Sequence, residues 1–259
     1  MHLFFVSWDR LIKICAVFLV VCISLVCYNG GYRGIISVFS PQRELPVYNV
    51  DTKEKKVAIT FDASWGAENT QKILDILDQY DAKATFFLVG IWVDDFPDMV
   101  KKISKAGHEI GNHSSTHPHM NSISEAEIEK ELSTTSEKIK KLTGKDVKLF
   151  RAPYGEYNDK VVLTARRLGY QVVQWDVDSL DWKDLSPETM SKRVLPKAKE
   201  GSIILFHNDG KYTPEVLPTI LGELRKRDYK FVRASDLIYK DNYYIDYKGT
   251  QILQSDDSD

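Results

Sequence analysis

Beyond Cys27 the 259-residue chain contains no cysteine. Its three cysteines, Cys15, Cys22 and Cys27, share one apolar run near the start. The body therefore has neither a disulfide framework nor a cysteine-ligated zinc site. The same absence suits an exported protein of a Gram-positive-like envelope. A basic excess is missing too. The 35 Lys and Arg face 37 Asp and Glu, a formal charge of -2, which argues against a nucleic-acid partner. No internal repeat is visible. With 43% hydrophobic and 11% aromatic residues, the composition supports one sizeable core.

The apolar run from Leu11 to Tyr28 is broken only by Lys13 and Ser24. It is long enough to cross a bilayer, and Arg10 and Lys13 at its start predict a cytoplasmic N-terminus. An uncleaved single-pass anchor in the cell membrane is the first reading, with the body on the extracytoplasmic side. A cleaved signal peptide giving a secreted form comes second, because no A-x-A-like exit follows. A lipoprotein reading at Cys27 is opposed by the bulk of Val26. The chain thus divides into a cytoplasmic tip and anchor (1–31), a linker with Pro41 and Pro46 (32–54), one domain (55–240) and a polar, frayed tail (241–259).

Within that domain short apolar runs alternate with helical patterns. Val57–Phe61, Ala84–Val89, Val147–Phe150, Tyr170–Trp175, Ser202–Phe206 and Tyr229–Val232 read as strands, with a short one at His108–Ile110. Helices fall between them. Ser124 and Glu127 form a capping box closed by Gly144, Ser186-Pro187 starts another helix, and Thr213-Pro214 a third. Strands separated by helices pair in parallel, as an open doubly wound sheet or a barrel. The number of units leans towards a barrel of the (β/α) type.

The polar residues of interest share one address. Asp62, His113, His117, Arg151, Asp178, Asp181 and His207 all follow expected strands, at the end where parallel barrels and sheets carry chemistry. His113 and His117, four apart, can share a metal, although an isolated pair of this spacing is usually structural. Asp62 closes VAITF as a partly desolvated carboxylate suited to a general base, or as a helix cap. Arg151, fixed in RAPYG by Pro153 and Gly155, would hold that base ionised, or form a plain salt bridge. His207 can protonate a leaving amine, tuned by Asp181 of DSLDW, or end its strand without chemistry. Trp182 is expected to pack beneath them. His119, after Pro118, reads as a bystander, and His108 as a strand residue with a packing or hydrogen-bonding role.

TFDASWG (60–66), HSSTH (113–117), RAPYG (151–155), DSLDW (178–182) and LFH (205–207) together resemble the ordered motifs of the polysaccharide deacetylases, the NodB-homology group of carbohydrate esterase family 4. The FDASWG form and the anchor look most like the PdaB-type deacetylases of spore-forming bacteria. The resemblance implies a distorted (β/α)7-type barrel and metal-dependent removal of acetyl groups from cell-wall glycan, with a role in sporulation. His113 and His117 would bind a divalent metal, usually zinc, and Asp62 would be the base. The Tyr154 backbone N–H would help hold the oxyanion, beside Pro153 and Trp182. His207 with Asp181 would be the acid, and Arg151 would orient Asp62.

One motif position departs from the family. Ala63 stands where the family has a second aspartate, the third metal ligand, and a methyl group coordinates nothing. The consequence is a deacetylase with weak metal binding, one in which Asp62 itself ligates, or a non-catalytic glycan binder. The deacetylase ranks first, because a pure binder needs neither base nor acid. The binder ranks second. A glycoside hydrolase ranks third, since it would leave the paired histidines unexplained. Nothing in the sequence chooses between N-acetylglucosamine and N-acetylmuramic acid.

Overall fold

The computed structural model describes residues 8–28 and 43–254. Two compact units are separate, Met1–Arg43 and Glu44–Asp259. In the first, helix α1 (Trp8–Tyr28) follows the apolar run, and Val17, Phe18 and Leu19 on it are exposed. The side chains of Arg10, Ile23 and residues 26–28 lie outside the described residues. Among the described residues no helix is long and apolar enough to cross a membrane.

The second unit is built on β2 (Lys56–Ala63), a strand buried along nearly its whole length. Its neighbours are β3 (Ala84–Leu88) and β8 (Ile203–His207), both parallel to it. The sheet extends through β4 (Glu109–Asn112), β5 (Leu149–Phe150) and β6 (Gln171–Val172) on one side. On the other side, β7 (Val177–Asp178) follows β8. A short β9 (Lys230–Phe231) pairs with the start of β2. Between the strands lie α2 (Thr70–Gln79), α3 (Gly90–Asp95), α4 (Pro97–Lys105), α5 (Glu125–Thr143), α6 (Asp159–Arg167), α7 (Pro187–Val194) and α8 (Thr213–Lys226).

The barrel expected over this domain is present as a half-barrel, open between β6 and β7. The physical reason lies in the connection. Residues 173–176 alone join these strands, and parallel neighbours need a crossover of roughly a dozen residues. The chain therefore steps across to pair β7 with β8 and leaves a seam. Val47 bridges to Val173 on one side of that seam, and Asn49 bridges to Ser202 on the other.

Alternation along β2 sorts the core into two layers. Val57, Ile59, Phe61 and Ala63 face the helices, with Phe61 stacked on Phe86 at 4.8 Å between ring centroids. Ala58 faces the concave side with Phe87, Leu149, Val173 and Ile203, and Thr60 and Asp62 continue that side upward. The expected caps are in place. Ser124 and Glu127 make their reciprocal bonds, Gly144 adopts φ 71°, and Ser186 accepts from the Thr189 N–H ahead of Pro187.

The ends of the unit differ from expectation. Residues 44–54, read as linker, contribute β1 (Asn49–Val50). Residues from 241, read as a frayed tail, contribute β10 (Tyr243–Ile245) and β11 (Thr250–Leu253). The three strands form a second sheet, with β1 parallel to β11. Val47 and Val50, both 2% exposed, are too few to give a readable pattern, yet they complete the concave core with α9 (Ala234–Leu237).

Candidate active site

Register alone places Asp62 and His207 side by side, because they are directly paired on β2 and β8. His113 follows β4, Arg151 follows β5, and Asp181 lies in the turn after β7. All open onto the same C-terminal end of the sheet, as the strand-end argument predicts. Asp62, His113 and His207 border a cleft of about 390 Å³, lined also by Ser64, Trp65, His117, Tyr154, Gly155, Trp175, Asp178, Trp182, Leu205 and Asp209, with Arg151 and Asp181 buried behind it.

Arg151 is the structural centre of this group. It is wholly buried, with its guanidinium 4.1 Å from the Phe87 ring centroid. Its Nη1 donates to Asp62 Oδ1 at 2.7 Å and to the Thr60 hydroxyl at 3.0 Å, and its Nε and Nη2 donate to the Val173 and Gln174 carbonyls. A charge can be buried when it is paired and its donors are satisfied, and both conditions hold. Burial alone would raise the Asp62 carboxyl, but the charge and hydrogen bond of Arg151, with the charge of His207, hold it below the usual range. The base is ionised, with Oδ1 occupied and Oδ2 3.5 Å from His113 Nε2.

His207 faces Asp62 with the opposite polarity. Its Nδ1 lies 2.7 Å from Asp181 Oδ1, and its backbone N–H donates to Asp181 Oδ2, which also accepts from the Thr213 hydroxyl. A carboxylate only accepts, so Nδ1 carries the proton and Nε2 is left for the cleft. Burial would lower the imidazolium. The hydrogen bond and charge of Asp181, with the charge of Asp62, outweigh it and push the group up to about 9. A proton acceptor and a proton donor with pKa values driven apart now face one cleft.

The histidine pair shows the opposite trend. His113 Nδ1 lies 2.8 Å from the Arg151 carbonyl, which fixes the proton there and frees the Nε2 lone pair. Burial pushes His113 down, and burial with the neighbouring His113 brings His117 to about 4. Both are neutral imidazoles, the ligand form. Their ring centroids are 5.1 Å apart, and His117 Nδ1 is buried without a hydrogen-bond partner. Ala63 is fully buried on the helix-facing layer and supplies no third donor. Among the described residues no group of three or more His, Cys, Asp or Glu is placed to hold a metal. The donors present do not fit the three-ligand zinc site that the resemblance implies.

The HSSTH and RAPYG loops are held in unusual backbone. Ser114, His117 and Tyr154 have φ of 71°, 59° and 59°, conformations that non-glycine residues adopt at a cost and that cluster at functional sites. Glu131 on α5 anchors the first loop, accepting from the Ser115 and Thr116 N–H groups and the Thr116 hydroxyl. In the second loop, a side chain at Gly155 (φ 68°) would come within 2.9 Å of Trp175.

Three expectations shift. Trp182, expected to pack beneath the acid, is instead 58% exposed at the rim of the cleft, because it occupies a short turn after Leu180 and not a strand. Pro153 is buried behind Tyr154 and does not line the cleft. His119, read as a bystander, stacks on Tyr154 at 4.5 Å and pairs with Glu156. Sequence reasoning missed Thr60, Glu131 and Thr213, whose roles come from tertiary contact. It also missed the exposed Trp65, whose placement inside a motif was the available signal.

The comparisons agree with this geometry. The polysaccharide deacetylase family model matches residues 49–173. A peptidoglycan-N-acetylglucosamine deacetylase of Bacillus cereus is 39% identical over 196 residues, covering 74% of this chain and 92% of the relative. The chain belongs to the polysaccharide deacetylase family. Another member, the peptidoglycan-N-acetylmuramic acid deacetylase PdaA of Bacillus subtilis, is 34% identical over 197 residues, 74% of this chain and 75% of its own. Among solved structures, a pseudoenzyme of the family from Bacillus anthracis aligns with TM-score 0.72 and 37% identity, over 74% of this chain and 68% of that one. A mutant described as a pseudoenzyme of the family with restored enzymatic activity aligns with the same TM-score at 38% identity, over 74% and 70%.

Proposed function

We propose that this polysaccharide deacetylase removes N-acetyl groups from cell-wall glycan. The observation that carries the reading is the opposed pair at the mouth of the sheet. Asp62 is held ionised by Arg151, and the His207 imidazolium is held by Asp181. In this reading Asp62 Oδ2 takes a proton from a water as its oxygen bonds to the acetamide carbonyl carbon. The Tyr154 backbone N–H receives the developing oxyanion. His207 Nε2 then gives its proton to the sugar nitrogen as the C–N bond breaks, releasing acetate and a free amine. Because the donors do not form a three-ligand centre, no step is assigned to a metal. A divalent ion shared by His113 and His117 is the weak association these residues allow.

A second reading has its own support. Ala63 and the two-histidine donor set favour a glycan binder without turnover, as does the likeness to a pseudoenzyme. The test is acetate release by the full chain in detergent, from peptidoglycan and from chitooligosaccharides, with and without Zn²⁺ or Co²⁺. Release that is lost in His207→Gln supports the deacetylase. Binding without release under any metal supports the binder, and new reducing ends without acetate support a glycosidase.

We further propose that the domain lies outside the membrane, held by the N-terminal segment. The support is in the sequence, where the apolar run from Leu11 to Tyr28 has Arg10 and Lys13 at its start. The PdaB-like motif form supports action in the envelope of a sporulating cell. Protease accessibility of the domain in intact cells tests the topology.

A further inference from the structure

Two residues of the cleft wall, His117 and Tyr154, carry left-handed backbone, at φ 59° each. His117 does so although it precedes Pro118, a position that favours extended backbone. Tyr154 is 56% exposed, so burial does not fix it. Each is held by the other. The Tyr154 hydroxyl donates to the His117 carbonyl at 3.3 Å, and the two rings meet edge to face with centroids 4.5 Å apart. This contact joins the HSSTH loop to the RAPYG loop.

A second contact lies outside both motifs. His119 stacks on the Tyr154 ring, with 4.5 Å between centroids and 19° between planes, and its Nδ1 lies 2.9 Å from Glu156 Oε2. His119 has a firm base. Pro118 before it has a ring-fixed φ, Met120 after it is fully buried, and its carbonyl accepts from the Ser122 N–H. Glu156 is tied to the other loop, where its N–H donates to the Pro153 carbonyl. The contacts thus close a ring that runs along the backbone from Tyr154 to Glu156, across to His119 and back to the tyrosine face. We propose that His119 and Glu156 are positioning residues, a clasp that keeps Tyr154 in the left-handed backbone from which its N–H serves the cleft. This rests on the deacetylase reading, in which that N–H receives the oxyanion. Neither side chain lines the cleft, so both act through Tyr154. Without the clasp the strained residue relaxes towards negative φ, and its N–H loses a fixed direction. A stacked ring pair and an exposed hydrogen bond together favour the closed loop roughly tenfold.

The test is hydrogen exchange of the full chain in detergent at the N–H groups of residues 155 and 156, which donate to the Ala152 and Pro153 carbonyls within the turn. His119→Ala is expected to raise their exchange roughly tenfold and Glu156→Ala roughly threefold. Glu156→Gln, which keeps an acceptor, restores most of the protection. The side chains of His119 and Glu156 are 61% and 42% exposed, so urea midpoints should stay close to the native value. Acetate release from tetra-N-acetylchitotetraose is measured in parallel. In His119→Ala, kcat is expected to fall roughly tenfold with KM within about twofold, because the N–H acts in the transition state. Unchanged exchange in His119→Ala, or a KM that rises while kcat holds, overturns the proposal. Exchange that rises as expected while even the native chain releases no acetate refutes the deacetylase reading and supports the clasp.

Discussion

Replacing Asp181 by Asn removes the charge that holds the His207 imidazolium and keeps a side chain of nearly equal size in a site that is 1% exposed. The rise of His207 from 6.5 to about 9 favours its protonated form by about 3 kcal/mol. Because the folded-state value lies above the unfolded one, this stabilisation is complete below pH 6.5. It declines as pH rises and is gone above about pH 9. The substitution also disturbs the bonds from the His207 N–H and the Thr213 hydroxyl, a loss of about 1–3 kcal/mol that does not vary with pH. Urea unfolding of both proteins at pH 6 and pH 10 separates the two contributions. Asp181→Asn is expected to destabilise by about 3 kcal/mol more at pH 6 than at pH 10. Equal losses at both pH values would refute the ion pair as the source of the shift. Where acetate is released, the alkaline limb of the rate profile, expected near 9 in the native chain, moves to lower pH in the variant.

Arg151→Met leaves Asp62 buried without its partner and is expected to cost about 3–5 kcal/mol in urea unfolding at neutral pH; a loss below about 1 kcal/mol would mean that the pair is incidental. Glu131→Ala frees the HSSTH loop from three donors, and hydrogen exchange at Ser115 and Thr116 should rise at least about tenfold, reflecting about 1.5–3 kcal/mol. Ala63→Asp puts back the family's second aspartate next to Asp62 and is expected to tighten Zn²⁺ binding more than about tenfold by calorimetry. Unchanged affinity, with lowered stability, would show that position 63 keeps facing the helix layer and buries its charge there.

Much of this architecture was legible because local signals agreed with tertiary need. The capping box at Ser124, the Pro187 start and the strand VAITF depend on near neighbours only, and parallel βα order brings strand ends together without further information. Asp62, Arg151, Asp181 and His207 could be paired in advance because each follows such a strand. What stayed hidden depends on contacts distant in sequence. The seam follows from a short link between two strands whose partners cannot be read locally. Strand β1 has only two residues and no periodicity of its own. Trp182 looked like core because burial is the common fate of tryptophan, whereas a three-residue turn turns it outward.

The seam has a bearing on how the chain may be cut. Every residue with a proposed chemical role lies between 62 and 209, so a fragment covering 55–240 would seem complete. That fragment would lack Val47, Val50 and β11, which cover the two strand ends flanking the opening. It would leave the Val172 and Gly201 carbonyls and the Gln174 N–H without the partners that Val47 and Val50 give them, beside apolar side chains, a template for joining to another copy through its edge. The two ends of the domain thus act as guards against aggregation, although neither touches the cleft.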